Sequence, residues 1–186
     1  MNLDKAIKER HSVRRFSSKK PRWEDIVEAI DAANSCPLAG NIPALYFLLI
    51  DDEEKIEKIA EASQQDFIKK AQYLVVVCSE PLLLVKSYEE RGELYARQQA
   101  GAAIENFLLK ITDLGLASCW VGEFVEKIVK RALVIPDNIL VEAILPVGYE
   151  MPPRTTQKRK PALDRVLFFN KWKQKTMKPM QKPEAV

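Results

Sequence analysis

The run Tyr73-Leu74-Val75-Val76-Val77-Cys78 constrains the fold of this chain more than any other stretch. It is apolar, rich in β-branched residues and too short to be a helix of its own, so it reads as a buried core strand. A strand of that kind needs neighbours. Leu45 to Ile50 (LYFLLI) is a second such run, Ala117 to Gly122 (ASCWVG) a third, and Leu140 to Tyr149 (LVEAILPVGY) a fourth.

Helical patterns separate the strands. Leu3, Ala6 and Ile7 predict a short first helix with Asn2 as N-cap. Pro21 opens a second, with Trp23, Ile26, Val27, Ile30 and Ala33 on one face and Glu24 and Asp25 at its N-terminal end. Residues 34–44 (NSCPLAGNIPA) read as a loop, 52–62 as a charged helix and 67–71 as a further turn. The longest helix is expected over 89–114, where Ala96, Ala100, Ala103, Ile104, Phe107, Leu108 and Ile111 recur at spacings of three and four. Its patch Ala100-Gly101-Ala102-Ala103 suits close approach of another backbone, and Gly115 stops it. A last helix covers 123–133 and ends near Pro136. Helices that alternate irregularly with four core strands make an α+β domain, expected over residues 1–170. Beyond Met151 the segment Arg165 to Phe169 (RVLFF) is a strand-like piece that must return to its own sheet or add to a partner's edge. Residues 171–186 are expected to be a basic, frayed tail.

With 186 residues, 47% of them apolar and 30% charged, the chain has the makings of a soluble domain with a real core. No apolar run approaches the ~20 residues of a membrane span, and the first ten residues lack a signal-peptide pattern. Cys36, Cys78 and Cys119 are three widely spaced thiols, which fits a reducing cytoplasm. The net charge of +3 is uneven: residues 154–186 carry ten basic and two acidic side chains, the remainder 19 and 24. No aromatic-rich binding strand or recognition helix accompanies that charge, so nucleic acid is not the expected partner.

No nucleophile elbow, zinc-protease helix, P-loop or Gly-x-Gly-x-x-Gly turn is present, and the chain has one histidine, His11. Any chemistry then belongs to a bound cofactor. The stretch Arg10-His11-Ser12-Val13-Arg14-Arg15-Phe16 holds three arginines and that histidine. Guanidinium forks match a phosphate monoester, and in an extended segment Ser12 and Arg14 point to one side. A helix end that gathers arginines through its dipole explains the same residues. Taken singly, Asn41 is also a turn residue, Gly122 a strand end and Trp120 a core side chain.

Four stretches in order resemble the nitroreductase family of FMN-dependent oxidoreductases: RHSVRRF, CPLAGNIPALYFLLI, GLASCWVGEF and VGYEMP with KRKP. They span about residues 2–165. The resemblance implies a nitroreductase-like fold, with a central, mostly antiparallel four-stranded sheet flanked by helices and a further strand from the partner's C-terminal arm. It implies a homodimer with FMN at the subunit interface. Arg10, His11, Ser12 and Arg14 would bind the FMN phosphate, ribityl chain and pyrimidine edge, and Arg159 would be the second phosphate arginine. Leu38 and Asn41 would reach a flavin held mainly by the other subunit. Trp120, Val121, Gly122 and Glu123 would pass the ring with a backbone N–H near N5, and Gln65 (or Gln64) would touch its edge. Leu38 replaces the family's loop serine, Pro43-Ala44-Leu45 its Gln-Pro-Trp, and Gln99 an acid, all around the ring and substrate cavity.

The activity so implied is ping-pong electron transfer from NADH or NADPH through flavin N5 to an electron-poor small molecule such as a nitroaromatic or quinone. No side chain acts as acid or base, and no metal takes part. The alternative is a flavin-binding protein without turnover, for FMN sensing or storage.

Overall fold

Strand β2, Tyr73–Ser79, is buried along its whole length because it is covered on both faces and both edges. It pairs antiparallel with β1 (Leu45–Ile50) on one side and with β4 (Leu140–Gly148) on the other. A short β3 (Ala117–Ser118) completes the order β1-β2-β4-β3. The two-residue period of the strand sends its side chains alternately to two cores. Tyr73, Val75 and Val77 pack against α2 (Trp23–Asn34) and α5 (Arg91–Asp113), through Ile26, Ala29, Ala33, Ile104, Phe107 and Ile111. Leu74, Val76 and Cys78 pack against α3 (Glu53–Ser63) and α6 (Glu126–Leu133), through Ile56, Ile59 and Val129. A sheet buried on both faces needs continuous apolar runs, and that is what the strands carry.

The computed structural model describes residues 2–151 and 160–177, divided into two compact units, Met1–Pro153 and Arg154–Val186. In the first unit α1 (Leu3–Glu9) is capped by Asn2, whose side chain accepts the Lys5 N–H at 2.9 Å. Asp52 caps α3 in the same way at 3.1 Å. Two 3-10 turns, Ala39–Asn41 and Asp66–Lys70, precede β1 and β2. Among the described residues no helix is long and apolar enough to cross a membrane.

Four expectations need correcting. The long helix lies where it was expected, but a further helix not read from the sequence, α4, Pro81–Tyr88, with Pro81 in its first turn, precedes it. The two helices turn sharply between Glu89, at φ 51°, and Gly92, where a Cβ would lie 2.3 Å from the Val85 nitrogen. On α2 the buried face is Ile26, Ala29 and Ala33, whereas Trp23 and Val27 are 53% and 43% exposed. Third, the strand expected over 117–122 has ladder pairing only at Ala117 and Ser118, then resumes as a single bridge from Val121 to Ile144. In the register those pairs set, Cys119 faces Pro146, which has no N–H to give.

The fourth concerns the second unit. Where a strand was expected, residues Leu163–Val166 form one helical turn, α7, followed by an extended Leu167. The rings of Phe168 and Trp172 stack 4.8 Å apart, and Lys175 Nζ sits 4.2 Å from the Phe168 centroid and donates to the Asp164 carbonyl. Residues 165–169 pair with no strand among the described residues.

Because backbone atoms of α4 occupy the space a side chain would need, Gly92→Ala should destabilise the protein by about 1–3 kcal/mol, as overpacking does. A fall in the urea midpoint at unchanged slope is the expected reading.

Candidate functional site

The N-terminal segment is stitched to the far end of the sheet. After α1 ends at Arg10, the Val13 N–H donates to the Ser118 carbonyl at 3.0 Å. Phe16 bridges to Glu150, the Ser17 N–H donates to Tyr149 at 2.8 Å, and the Met151 N–H donates to Arg15 at 2.9 Å. Val13 and Phe16 turn into the core, and Gly148 leaves room for Phe16, whose ring lies 3.0 Å from where a Cβ would sit. Ser12 and Arg14 are left on the exposed side, as the alternation predicts.

Arg14 and Ser12 both bear on Cys119. Burial pushes that thiol's pKa up, and the Arg14 charge and a hydrogen bond with Ser12 oppose the shift. The Arg14 guanidinium also lies 5.9 Å from the centroid of Phe67, two residues beyond the half-buried Gln65. The Val125 N–H donates to the Ala62 carbonyl at 2.8 Å, which ties the loop after Gly122 to the end of α3. Segments 12–14, 62–67 and 119–125 therefore meet.

Within this meeting point Trp120 is 42% exposed and Val121 is buried, its backbone committed to Ile144 by two hydrogen bonds of 3.0 Å. Gly101 on α5 and Gly122 flank the indole: a Cβ on either would stand 3.9 Å from it, an ordinary contact. Neither glycine has positive φ. Nothing inside the chain requires them to be glycine. The N–H groups of Gly122 and Glu123, both exposed, donate to no acceptor among the described residues.

Arg10 stands beside this group with its side chain 17% exposed and Nε 3.4 Å from Glu105 Oε1 on α5. Its Nε is buried and, like the Ser118 hydroxyl, makes no hydrogen bond among the described residues. His11 lines the same small cavity as Arg10, and both of its ring nitrogens are engaged. Its Nδ1 is 2.8 Å from the Glu9 carbonyl and its Nε2 3.1 Å from Glu150 Oε1.

Leu38 and Asn41 are held elsewhere in the unit. Asn41 (φ 57°) follows Gly40 (φ 59°), where a Cβ would strike the Tyr88 hydroxyl at 2.4 Å, and Gln99 Nε2 donates to the Ile42 carbonyl at 3.5 Å. No contact among the described residues joins this loop to Arg10–Arg14. Arg159 lies outside the described residues.

The family model "Nitroreductase family" matches residues 7–149, so it takes in the 10–16 segment, the 38–41 loop and the 117–123 strand. The chain belongs to the nitroreductase family. A relative from Archaeoglobus fulgidus, described as a candidate NADH dehydrogenase/NAD(P)H nitroreductase, is 33% identical over 150 residues, 78% of this chain and 83% of that one. The iodotyrosine deiodinase of Thermotoga neapolitana is 26% identical over 188 residues, 87% and 96% of the two chains. The solved structure of oxidised iodotyrosine deiodinase bound to FMN and 3-iodo-L-tyrosine matches with a TM-score of 0.76 at 26% identity, covering 90% of this chain and all of that one. The nitroreductase fold expected from the four motifs is the fold observed.

In this nitroreductase-family chain four residues that shape the site were given no role by the sequence reading: Cys119 beneath Ser12 and Glu150 beside His11, which lie inside the quoted motifs, and Phe67 under Arg14 and Glu105 beside Arg10, which lie outside them. Each is an ordinary residue for its element, and only the fold makes it a neighbour.

Proposed function

We propose that this protein is an FMN-dependent oxidoreductase that takes electrons from NADH or NADPH and passes them to an electron-poor small molecule. The observation that carries the reading is the pair Gly101 and Gly122 beside Trp120, two missing side chains that the chain's own packing does not need. With the unpartnered N–H groups of Gly122 and Glu123 they fit a flat ring laid against the backbone. Ser12, Arg14 and Arg10 supply donors suited to a phosphate monoester and its polyol chain.

Bound FMN supplies two-electron chemistry, accepting hydride at N5 from a nicotinamide and giving electrons to the second substrate. The protein's part is to position rings and exclude water. A Gly122 or Glu123 N–H would be offered to N5, and Val121, locked to Ile144, fixes the height of that backbone. Trp120 would wall the ring, and Gln65, two residues before the Phe67 that lies under Arg14, would reach its edge. Arg14 offers a cation to the negative charge that reduction places on the pyrimidine. His11 gives its backbone to the turn.

The working unit is a homodimer in which Leu38 and Asn41 complete the partner's site. The exposed Leu3, Ile7, Trp23 and Val27 on α1 and α2 support an apolar partner surface. Residues 1–170 form the cofactor-binding domain and 171–186 a basic appendage.

The acceptor is a nitroaromatic or quinone. A second reading, reductive dehalogenation of an aromatic ring, is favoured by two deiodinase matches that run over nearly the whole of both chains.

Anaerobic NADH or NADPH should bleach the yellow band of the FMN-loaded protein, and nitrobenzoate, menadione or 3-iodotyrosine should then restore it at rates that rank the acceptors. A yellow protein that neither nicotinamide bleaches would leave a flavin binder without turnover. Arg10→Ala and Arg14→Ala should each weaken FMN binding about tenfold or more, the scale of a hydrogen bond between charged groups, measured by flavin fluorescence quenching. Sedimentation should give a mass of about 42 kDa, two chains of 21.2 kDa.

A further inference from the structure

We propose that His11 and Glu150 form a latch that sets the phosphate-binding turn Arg10–Arg14, so that His11 acts as a positioning residue and not as a ligand of the cofactor. The proposal rests on the FMN reading above.

The geometry of the ring carries it. His11 Nδ1 faces a carbonyl oxygen at 2.8 Å and Nε2 faces a carboxylate oxygen at 3.1 Å. Neither oxygen has a hydrogen to donate. A neutral imidazole has one N–H, so one of its nitrogens would present a lone pair to an oxygen. Only the imidazolium satisfies both contacts, and with both nitrogens engaged the ring has no donor left for a phosphate. The contact spans 139 residues of sequence and joins the turn to the end of β4.

The surroundings explain why a latch is useful there. A cavity of about 170 Å³ lies behind the turn, and both Arg10 and Glu150 line it along with His11, Thr112 and Ser118. Glu150 is a carboxylate within reach of an arginine-rich turn, and arginine paired with it is lost to phosphate. Holding Glu150 on His11 keeps the guanidinium groups available.

Among the described residues the groups that act on the ring can be named. From α1 and its C-cap come the Glu9 carbonyl and the opposing charge of Arg10, itself paired with Glu105 of α5. From the end of β4 comes Glu150. From α5 and β3 the cavity wall offers Thr112 and Ser118, which do not titrate in this range. The Glu9 carbonyl, and then Glu150, hold the His11 pKa above its ordinary value against the opposing effect of burial and of Arg10. A raised value means that the latch is fully formed below about pH 6.5, the unperturbed value, and is lost as pH rises through the folded value.

His11 is the sole histidine of the chain, so its ring signals in NMR need no assignment. In the full-length wild-type protein it should titrate above about 6.5, and in Glu150→Gln it should titrate lower. Titration at or below the ordinary value in wild type, or an unmoved value in Glu150→Gln, overturns the latch. FMN binding supplies the second arm. A monoester phosphate gains charge near pH 6, which strengthens binding as pH rises, so a loss at higher pH has to come from the protein. Wild-type affinity should fall about threefold between pH 6.5 and 9, the scale of one half-exposed charged contact. The fall should track the NMR midpoint and vanish in Glu150→Gln and His11→Gln. An equal fall in all three proteins overturns the positioning role. Absence of FMN binding at every pH overturns the cofactor reading and that role together, while the ion pair still stands or falls on the NMR titration.

Discussion

Everything in the first unit depends on β2 being dry on both faces. Its seven residues contribute alternately to two separate cores, so α2 and α5 on one side and α3 and α6 on the other are fixed against the same strand. Hydrophobic burial sets the order of the layers, and the strand period decides which side chain serves which layer. The candidate site lies where the second of these cores ends, under β3 and the extended segment that follows α1. Val13, Phe16, Cys119 and Val121 belong to the core, and Ser12, Arg14, Trp120 and Gly122 alternate with them on the outside. One packing rule thus separates the buried residues of these segments from the exposed ones.

The elements that sequence revealed were those with strong periods and clear punctuation. Strands β1, β2 and β4, the cap at Asn2 and the stop at Gly115 belong to that class, because each depends on neighbours within a few residues. Where the reading failed, the deciding partner was distant. α4 went unread because its eight residues carry only a short pattern, and its buried Leu84 clusters with Ala44 and Ala96, far apart in sequence. Trp23 and Val27 fit a helical face, but the width of the contact with α5 and the sheet decides how much of that face is covered. Pro146 was visible in its strand, yet its effect falls across the sheet at Cys119, where the pairing register is needed to see it.

The site was legible in the same uneven way. Arginine spacing and four motifs in order located the 10–14 turn and the 120–123 segment, and the structure brings both to one corner with Gln65. The loop of Leu38 and Asn41 makes no hydrogen bond or ion pair with them within a chain, among the described residues. The role of His11 was not legible, because a motif gives a residue's type and its neighbours in sequence but not the direction of its ring. Glu150, which takes up that ring, sits in a closing motif that sequence associates only with strand and turn.

The stitching of residues 11–17 to 149–151 bears on how the protein comes into being. Those bonds join the first tenth of the chain to a segment synthesised after four-fifths of it. The arginine turn is synthesised before both β3, whose Ser118 holds Val13, and the residues after β4 that hold Phe16 and Ser17. Local helices close first and contacts of such long sequence separation close late. During synthesis the turn is therefore a free cationic segment, and the corner that it shares with Trp120 and Gly122 becomes a fixed site only near the end of folding.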